Sequence, residues 1–147
     1  MTGPEIEARR SWMGLLARAP AARLAALLPD QAAHVMLRAP EVGAVMVRGR
    51  IGATGAPFNL GEMTVTRCTL RLATGEVGHA HVQGRDRDHA TRAALVDALM
   101  QRPTAAALRA AVLEPLATEE AARRTGRAAR AAATKVEFFT LVRGEDQ

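Results

Sequence analysis

Arginines on two predicted strands are the residues of this sequence best suited to chemistry with an anion. Arg48 and Arg50 alternate with apolar residues in EVGAVMVRGRI, and Arg67 and Arg71 do so in MTVTRCTLRL. Side chains at positions i and i+2 share one face of a strand, and guanidinium groups bind phosphate and carboxylate through paired hydrogen bonds. Arg85 precedes the predicted start of a helix, where backbone N–H groups attract anions. We therefore take Arg50, Arg67 and Arg85 as the candidate substrate-binding residues.

A solvated or salt-bridged sheet face is the alternative interpretation of these arginines. Carboxylates stand nearby in the sequence, at Glu62, Glu76 and Asp86. The net charge of +5 also has a compositional explanation, because Lys135 is the single lysine among 20 basic residues, and joint excess of alanine and arginine is typical of a GC-rich genome. Nucleic-acid binding is disfavoured, because no aromatic residues are interleaved with the charge.

The sequence contains no ordinary catalytic or metal-binding constellation. His79 and His81 share one strand face without the further ligands of a zinc site, which favours exposed or interface histidines. Cys68 shares a face with Leu70 and Leu72, which favours a buried small hydrophobe over a nucleophile paired with a histidine. The segment GRIGATGAPFNLGE lacks the Gly-Lys-Ser/Thr of a phosphate loop, so a structural turn or a partner-binding loop is favoured. We predict no catalytic residue, no metal ligand and no cofactor of its own.

Length and composition predict a single domain over residues 1–147 that works in the cytoplasm. A chain of 147 residues can bury a real core. Cys68 is the only cysteine, so an internal disulfide is excluded and a reducing compartment fits. No apolar run resembles a signal peptide or a membrane span.

Alternation of apolar residues in the middle of the chain predicts an antiparallel sheet and an α+β fold. The hairpin signal Thr74-Gly75 leaves no room for a crossover helix, which excludes a parallel sheet here. A separate short strand is expected at 34–37 and a loop rich in turn residues at 52–61. The three strands of the sheet are predicted at 43–51, 62–73 and 76–84.

Helices are predicted to flank this small sheet. A helix over 86–101, with Asp86 as its N-cap, has the periodicity needed to lie across the strands. Residues 5–17 and a second short helix opened by Pro20 form an N-terminal helical hairpin.

The C-terminal part of the chain is predicted to be a helical arm. A segment that begins at Pro103 is expected to stop at Pro115, after which Thr118 caps a last helix. That helix offers mainly alanine to a core, so its own chain holds it weakly. We therefore predict that residues 118–147 dock on a partner or are exchanged between copies.

The predicted partner interface combines this arm with an aromatic residue of the glycine-rich loop. Aromatic residues are scarce in this chain, and the terminal segment VEFFTLVRG is too apolar to be left exposed. The interface residues are Phe58, Phe138, Phe139, Leu141 and Val142.

Several long segments, in the same order along the chain, resemble the G subunit of the bacterial carbon–phosphorus lyase core complex. The resemblance covers nearly the whole sequence, and its motifs are long and specific. They are WM at 12–13, EVGAVMVRGRIGATGAPFNLGEMTVTRCTLRL at 41–72, GRDRDHATRAALVDAL at 84–99 and TKVEFFTLVRGED at 134–146.

The resemblance implies a role in phosphonate catabolism. With the H, I and L components, the family takes part in forming α-D-ribose 1-methylphosphonate 5-triphosphate from ATP and methylphosphonate, with release of adenine. The I component carries the nucleosidase activity, whereas the G component has no established catalytic residues. The G, H, I and J proteins form a stable assembly with two copies of each. His79 and His81 stand where aromatic residues are expected in relatives, which weakens any metal-binding interpretation of them.

Two hypotheses about function follow from the sequence. The first is an accessory subunit of a transferase complex, with a homodimeric contact or tail exchange and without nucleic acid or membrane as a partner. The second is an independent small nucleotide- or phosphate-binding protein whose site uses Arg50, Arg67 and Arg85. Activity of the isolated chain on ATP distinguishes the two.

Overall fold

Three antiparallel strands form a sheet of order β1-β2-β3 in this computed structural model, which describes residues 3–28 and 32–134. The strands are β1 His34–Arg50, β2 Pro57–Leu72 and β3 Val77–Gln83. Helices before and after the sheet complete an α+β fold, which confirms the predicted fold class. The antiparallel pairing of all three strands agrees with the hairpin signal between β2 and β3.

The first two strands are longer than predicted, because they pair with each other along almost their whole length. Pairing runs from His34 opposite Leu72 to Arg50 opposite Pro57. The short strand predicted at 34–37 is therefore the beginning of β1. The loop predicted over 52–61 is wrong for residues 57–61, which belong to β2.

A tight turn over residues 51–56 joins the two strands. Gly52 and Ala53 adopt positive φ angles of 58° and 68°, in the left-handed region that reverses the chain. Pro40 is tolerated within β1 because β1 is an edge strand, and shifts in register accompany it.

Part of this hairpin extends beyond the third strand. β3 pairs with β2 only from Val65 to Arg71, so residues 44–64 form a two-stranded extension. We call this extension the hairpin arm. An isolated two-stranded hairpin is marginally stable in water, and none of the residues of the hairpin arm is fully buried.

Helix α3, Arg87–Leu99, packs against all three strands and closes the core. The predicted N-cap is confirmed, since the Asp86 side chain accepts a 2.8 Å hydrogen bond from the backbone N–H of His89. Gly78 of β3 permits the close approach of this helix, because a Cβ at this position would lie 1.9 Å from the Ala94 carbonyl oxygen. The sheet therefore meets α3 backbone to backbone at this point.

The N-terminal helical hairpin is confirmed. Helix α1 is Gly3–Arg18 and helix α2 is Ala21–Leu27, with Pro20 as the N-cap of α2. Both helices contact α3 and contribute buried side chains to the core. The largest of these are Trp12, Leu16 and Leu24.

The C-terminal helices run on without the predicted break. Helix α4, Ala105–Leu108, leads into a π-helical turn at Arg109–Leu113 and then into α5, Glu114–Ala133. Pro115 was predicted to stop the helix, but it lies in the first turn of α5, where its missing N–H is tolerated. Thr118 is no cap, since its hydroxyl donates a 3.0 Å hydrogen bond to the Glu114 carbonyl oxygen one turn earlier.

Candidate functional site

Arg67 has an unsatisfied donor on the open face of the sheet. Cys68 and Leu70 point to α3 and are buried, so alternation places Arg67 on the opposite face. Its neighbours across the strands are Glu41 and His81. The Arg67 Nε atom is buried without a hydrogen-bond partner.

The backbone beside Arg67 is shaped to admit its guanidinium. A Cβ on Gly43 would lie 3.1 Å from Nη2 of Arg67, so the missing side chain leaves room for the charged group. A buried polar atom without a protein partner is uncommon in folded proteins, and this N–H group is able to donate to a bound anion.

Glu41, which lies opposite Arg67 on the neighbouring strand, already forms an ion pair with Arg38. Glu41 accepts hydrogen bonds from Nε and Nη2 of Arg38, at 3.1 Å and 2.5 Å. This bond and the charge of Arg38 hold the pKa of Glu41 below its ordinary value, and the charge of Arg67 adds to the effect. Arg71 lies on the same face as Arg67, so the open face is rich in positive charge.

Arg50 and Arg67 lie far apart within one chain, so they cannot contact the same small anion there. Arg50 lies opposite Pro57 at the tip of the hairpin arm, ten positions before Arg67 on β2. Ten residues of strand span roughly 33 Å. The alternation of β1 also places Arg50 on the other face of the ladder. Its Nη1 donates a 3.1 Å hydrogen bond to the Gly55 carbonyl oxygen of the turn.

Arg85 is exposed just before α3, as predicted, but the helix start next to it is already served by carboxylates. Asp86 caps the N–H of His89, and Asp88 lies in the first turn. These two negative groups reduce the attraction that the helix end offers to a further anion. Among the three candidate arginines, Arg67 therefore has the geometry best suited to anion contact.

The histidines and the cysteine lie where the sequence indicated. His79 and His81 are exposed on β3, and the Nδ1 atom of His79 lies 3.1 Å from the Thr69 hydroxyl oxygen. Cys68 is buried, with its Sγ 3.9 Å from the Met36 sulfur, and burial raises the pKa of its thiol. A raised pKa disfavours the thiolate, which is the nucleophilic form of cysteine.

A buried carboxylate that sequence reasoning missed joins three elements. Asp97 of α3 is fully buried and accepts hydrogen bonds from Nε and Nη2 of Arg9, at 3.1 Å and 2.7 Å. It also accepts from Nε1 of Trp12 and from the backbone N–H of His79, each at 2.9 Å. The available signal was an acidic residue four positions after Ala93, on the face of α3 predicted to be buried. Its four hydrogen bonds to α1 and β3 give this carboxylate a structural role.

Half of the large apolar side chains that are exposed among the described residues lie on the hairpin arm and its turn, and the others are Ile6, Val35, Met36 and Leu37. Phe58 is 40% exposed and lies over Gly49, where a Cβ would be 3.6 Å from its ring. The other large apolar side chains exposed here are Met46, Ile51 and Leu60. Such a group of apolar residues on an extended hairpin is typical of a protein-binding surface. The remaining predicted interface residues, Phe138, Phe139, Leu141 and Val142, lie outside the described residues.

Neither a metal-binding cluster nor a membrane-spanning helix is found among the described residues. Residues 3–28 and 32–134 contain no group of three or more side chains arranged to hold a metal ion. In the same part of the chain, no helix has the length and apolar character required to cross a bilayer.

The described residues thus define a small, basic α+β domain with an arginine-bearing sheet face and an extended apolar hairpin. The chain belongs to the family described as "Phosphonate metabolism protein PhnG", whose profile matches residues 7–144. It is 48% identical over 141 residues to the alpha-D-ribose 1-methylphosphonate 5-triphosphate synthase subunit PhnG of Rhizobium meliloti (strain 1021). The alignment covers 94% of this chain and 90% of that relative. The family resemblance inferred from the sequence is confirmed.

Proposed function

We propose that this chain is an accessory subunit of the α-D-ribose 1-methylphosphonate 5-triphosphate synthase, within the carbon–phosphorus lyase core complex. The observation that carries the proposal is the 48% identity, over 94% of the chain, to a protein named as that subunit. The complex forms its product from ATP and methylphosphonate, with release of adenine. The chain acts in the cytoplasm with the H, I and J subunits and the L component, and it supplies neither a catalytic residue nor a cofactor.

Arg67 is the residue through which this subunit contacts an anionic substrate in the assembled complex. Its orphaned Nε and the space above Gly43 support this assignment. ATP and methylphosphonate both carry oxygen atoms that accept charge-assisted hydrogen bonds. Arg50 contributes from the tip of the hairpin arm, and Arg85 contributes from the turn between β3 and α3.

The hairpin arm and the arm over 118–147 hold the subunit in the complex. Phe58 and its exposed apolar neighbours support the first contact, because they lie on the part of the hairpin that extends beyond β3. The terminal residues Phe138, Phe139, Leu141 and Val142 belong to the second contact by their sequence alone.

Growth on methylphosphonate tests the proposal. In the source organism, deletion of the gene for this chain should abolish growth with methylphosphonate as the sole phosphorus source, and the intact gene should restore it. Growth on inorganic phosphate is the control and should not change. Normal growth of the deletion strain on methylphosphonate would refute the proposed function.

A titration with ATP separates this proposal from an independent nucleotide-binding protein. We expect the isolated chain to bind ATP weakly and to leave it intact, whereas the co-purified complex binds it tightly in the presence of methylphosphonate. Tight binding or turnover by the isolated chain would favour the independent protein.

A further inference from the structure

Within residues 3–28 and 32–134, no element buries the second part of α5. Every residue from 121 to 133 is exposed, whereas Leu116 near the start of the helix is fully buried. Two ion pairs hold this first part to the N-terminal helices, Arg18 with Glu120 at 2.6 Å and Arg23 with Glu119 at 2.8 Å. Helices of about 12–15 residues are only marginally stable in water without tertiary contacts. Against the described part of the chain, the extended part of α5 therefore lacks the burial that ordinarily stabilises a helix of this length.

Positive charge lies on one side of this extended part of the helix. At about 100° per residue, all of its arginines fall within one sector of roughly 120°, and residues 121–133 contain no acidic residue. The arginines are Arg123, Arg124, Arg127 and Arg130. The remaining surface consists of alanine, one threonine and one glycine, and its centre is near Thr125 and Ala129. We call the two sides the arginine sector and the alanine face.

A second copy of the same helix fits this surface poorly. Two alanine faces in contact would bury little apolar area, because each contributes only methyl groups. A specific protein interface buries at least about 1,000 Å². Pairing with itself would also leave every guanidinium of both arginine sectors without a carboxylate. A stable dimer through this helix is therefore disfavoured by both area and charge.

A groove on a different protein chain fits both sides of the helix. Alanine keeps the helix slender, so that larger apolar side chains of a groove can close around it and supply the area that alanine lacks. Carboxylates at the edge of the groove can then accept paired hydrogen bonds from the arginine sector. Binding of a helix in an apolar groove is a recurrent mode of protein recognition.

We propose that residues 121–133 of α5 insert into an acid-rimmed groove of a different subunit of the synthase. The alanine face lies on the apolar floor of the groove, and the arginine sector meets carboxylates at its rim. This inference rests on the proposed function, because it takes the partner to be another protein of the same complex.

Two matched substitutions test the floor of the groove. The full-length chain, tagged and co-expressed with the other subunits, should lose at least tenfold in recovered partner on Ala132→Gln, which puts a long polar side chain on the alanine face. Ala131→Gln makes the same change one residue away, within the arginine sector, and should leave recovery unchanged. Both alanines are exposed among the described residues, so both variants should melt at the wild-type temperature. Equal recovery of the partner by the two variants would refute the proposal that the alanine face lies on the floor of the groove.

Charge reversal tests the rim. The double variant Arg123→Glu with Arg127→Glu should reduce recovery of the partner at least tenfold, whereas the double variant Arg123→Lys with Arg127→Lys should retain most of it. Loss of recovery on raising the salt concentration should be steeper for wild type than for the reversed variant. Unchanged recovery of the partner by the charge-reversed variant would refute the proposal that carboxylates at the rim bind the arginine sector.

Four further outcomes separate this inference from its competitors. Wild-type chain that recovers no partner at all would refute the proposed function itself. A partner recovered equally by wild type and every variant would refute only the inference. Dimerisation of the isolated chain that Ala132→Gln abolishes would assign the helix to a second copy. Binding to a duplex DNA of random sequence, abolished by the charge reversal, would assign it to nucleic acid.

Discussion

Trp12 donates a 2.9 Å hydrogen bond from its indole Nε1 to the carboxylate of Asp97, which is fully buried. The bond joins the N-terminal helix to the helix that covers the sheet, although 85 positions separate the two residues. The same carboxylate binds Arg9 and the backbone of His79 on β3. One acidic side chain therefore fixes how α1, α3 and the edge of the sheet pack together.

Replacement of Asp97 by alanine should destabilise the chain strongly. The change removes the acceptor of the Trp12 indole and the His79 amide, and it breaks an ion pair with a largely buried Arg9. Loss of one partner of a buried ion pair costs about 3–5 kcal/mol. Urea denaturation should report this loss of unfolding free energy. Asp88→Ala, at an exposed site in the first turn of the same helix, is the control and should cost about 1 kcal/mol or less.

Gly78→Ala should loosen the contact between β3 and α3. The new methyl group would lie 1.9 Å from the Ala94 carbonyl oxygen and 2.8 Å from the Ala98 Cβ, so the helix must move away. Overpacking of this kind costs about 1–3 kcal/mol or more. Gly61→Ala is a suitable control, because a Cβ at Gly61 meets nothing within 4 Å. A melting temperature of the Gly78 variant equal to that of the control would contradict the close packing described above.

Arg67→Ala should weaken substrate binding by the assembled complex without preventing assembly. A charge-assisted hydrogen bond contributes about 1.5–3 kcal/mol, which corresponds to roughly a ten- to hundredfold change in affinity. Arg71→Ala, on the same strand and face, is the matched control and should have a smaller effect. ATP affinity and recovery of the complex are to be measured on the same preparations. Normal affinity with poor recovery would show that Arg67 has a structural role instead.

The attachment of α5 should weaken in acid. The hydrogen bond from Arg18 lowers the pKa of Glu120 below its ordinary value of 4.5, and the charge of Arg18 contributes as well. A carboxylate whose pKa is lowered on folding stabilises the folded state above its unfolded pKa, and this contribution is lost as pH falls through the folded pKa. Because Arg18 is half exposed, the pair contributes only about 0.2–1 kcal/mol.

Comparison of wild type with Glu120→Gln checks this dependence. The variant should melt up to about 4 °C lower at pH 7, and the difference should shrink as pH falls below 4.5 and through the lowered pKa of Glu120. Arg18→Ala should give the same pattern, since it removes the other partner. A difference in melting temperature that stays the same as pH falls from 7 to 2 would contradict an ionic origin.

Local patterns in the sequence determined the type of most elements in this protein. Period-two alternation in MTVTRCTLRL placed Cys68 and Leu70 on the buried face and Arg67 on the open one. The N-cap at Asp86 was also predictable, because it depends only on residues within one turn of the helix. The family resemblance was readable for a similar reason, since it lies in contiguous segments.

Only the tertiary structure decided how far the strands pair and which distant groups meet. Residues 57–61 look like a loop by composition, yet β1 supplies the hydrogen-bonding partner that makes them a strand. Pro115 looks like a helix end, yet it lies in the first turn of α5, and the helix continues to Ala133. Arg50 and Arg67 both stand on strands, but the register of the hairpin keeps them roughly 33 Å apart. The contact between Asp97 and Trp12 depends on the packing of α1 on α3, and no local pattern encodes a contact between residues so distant in sequence.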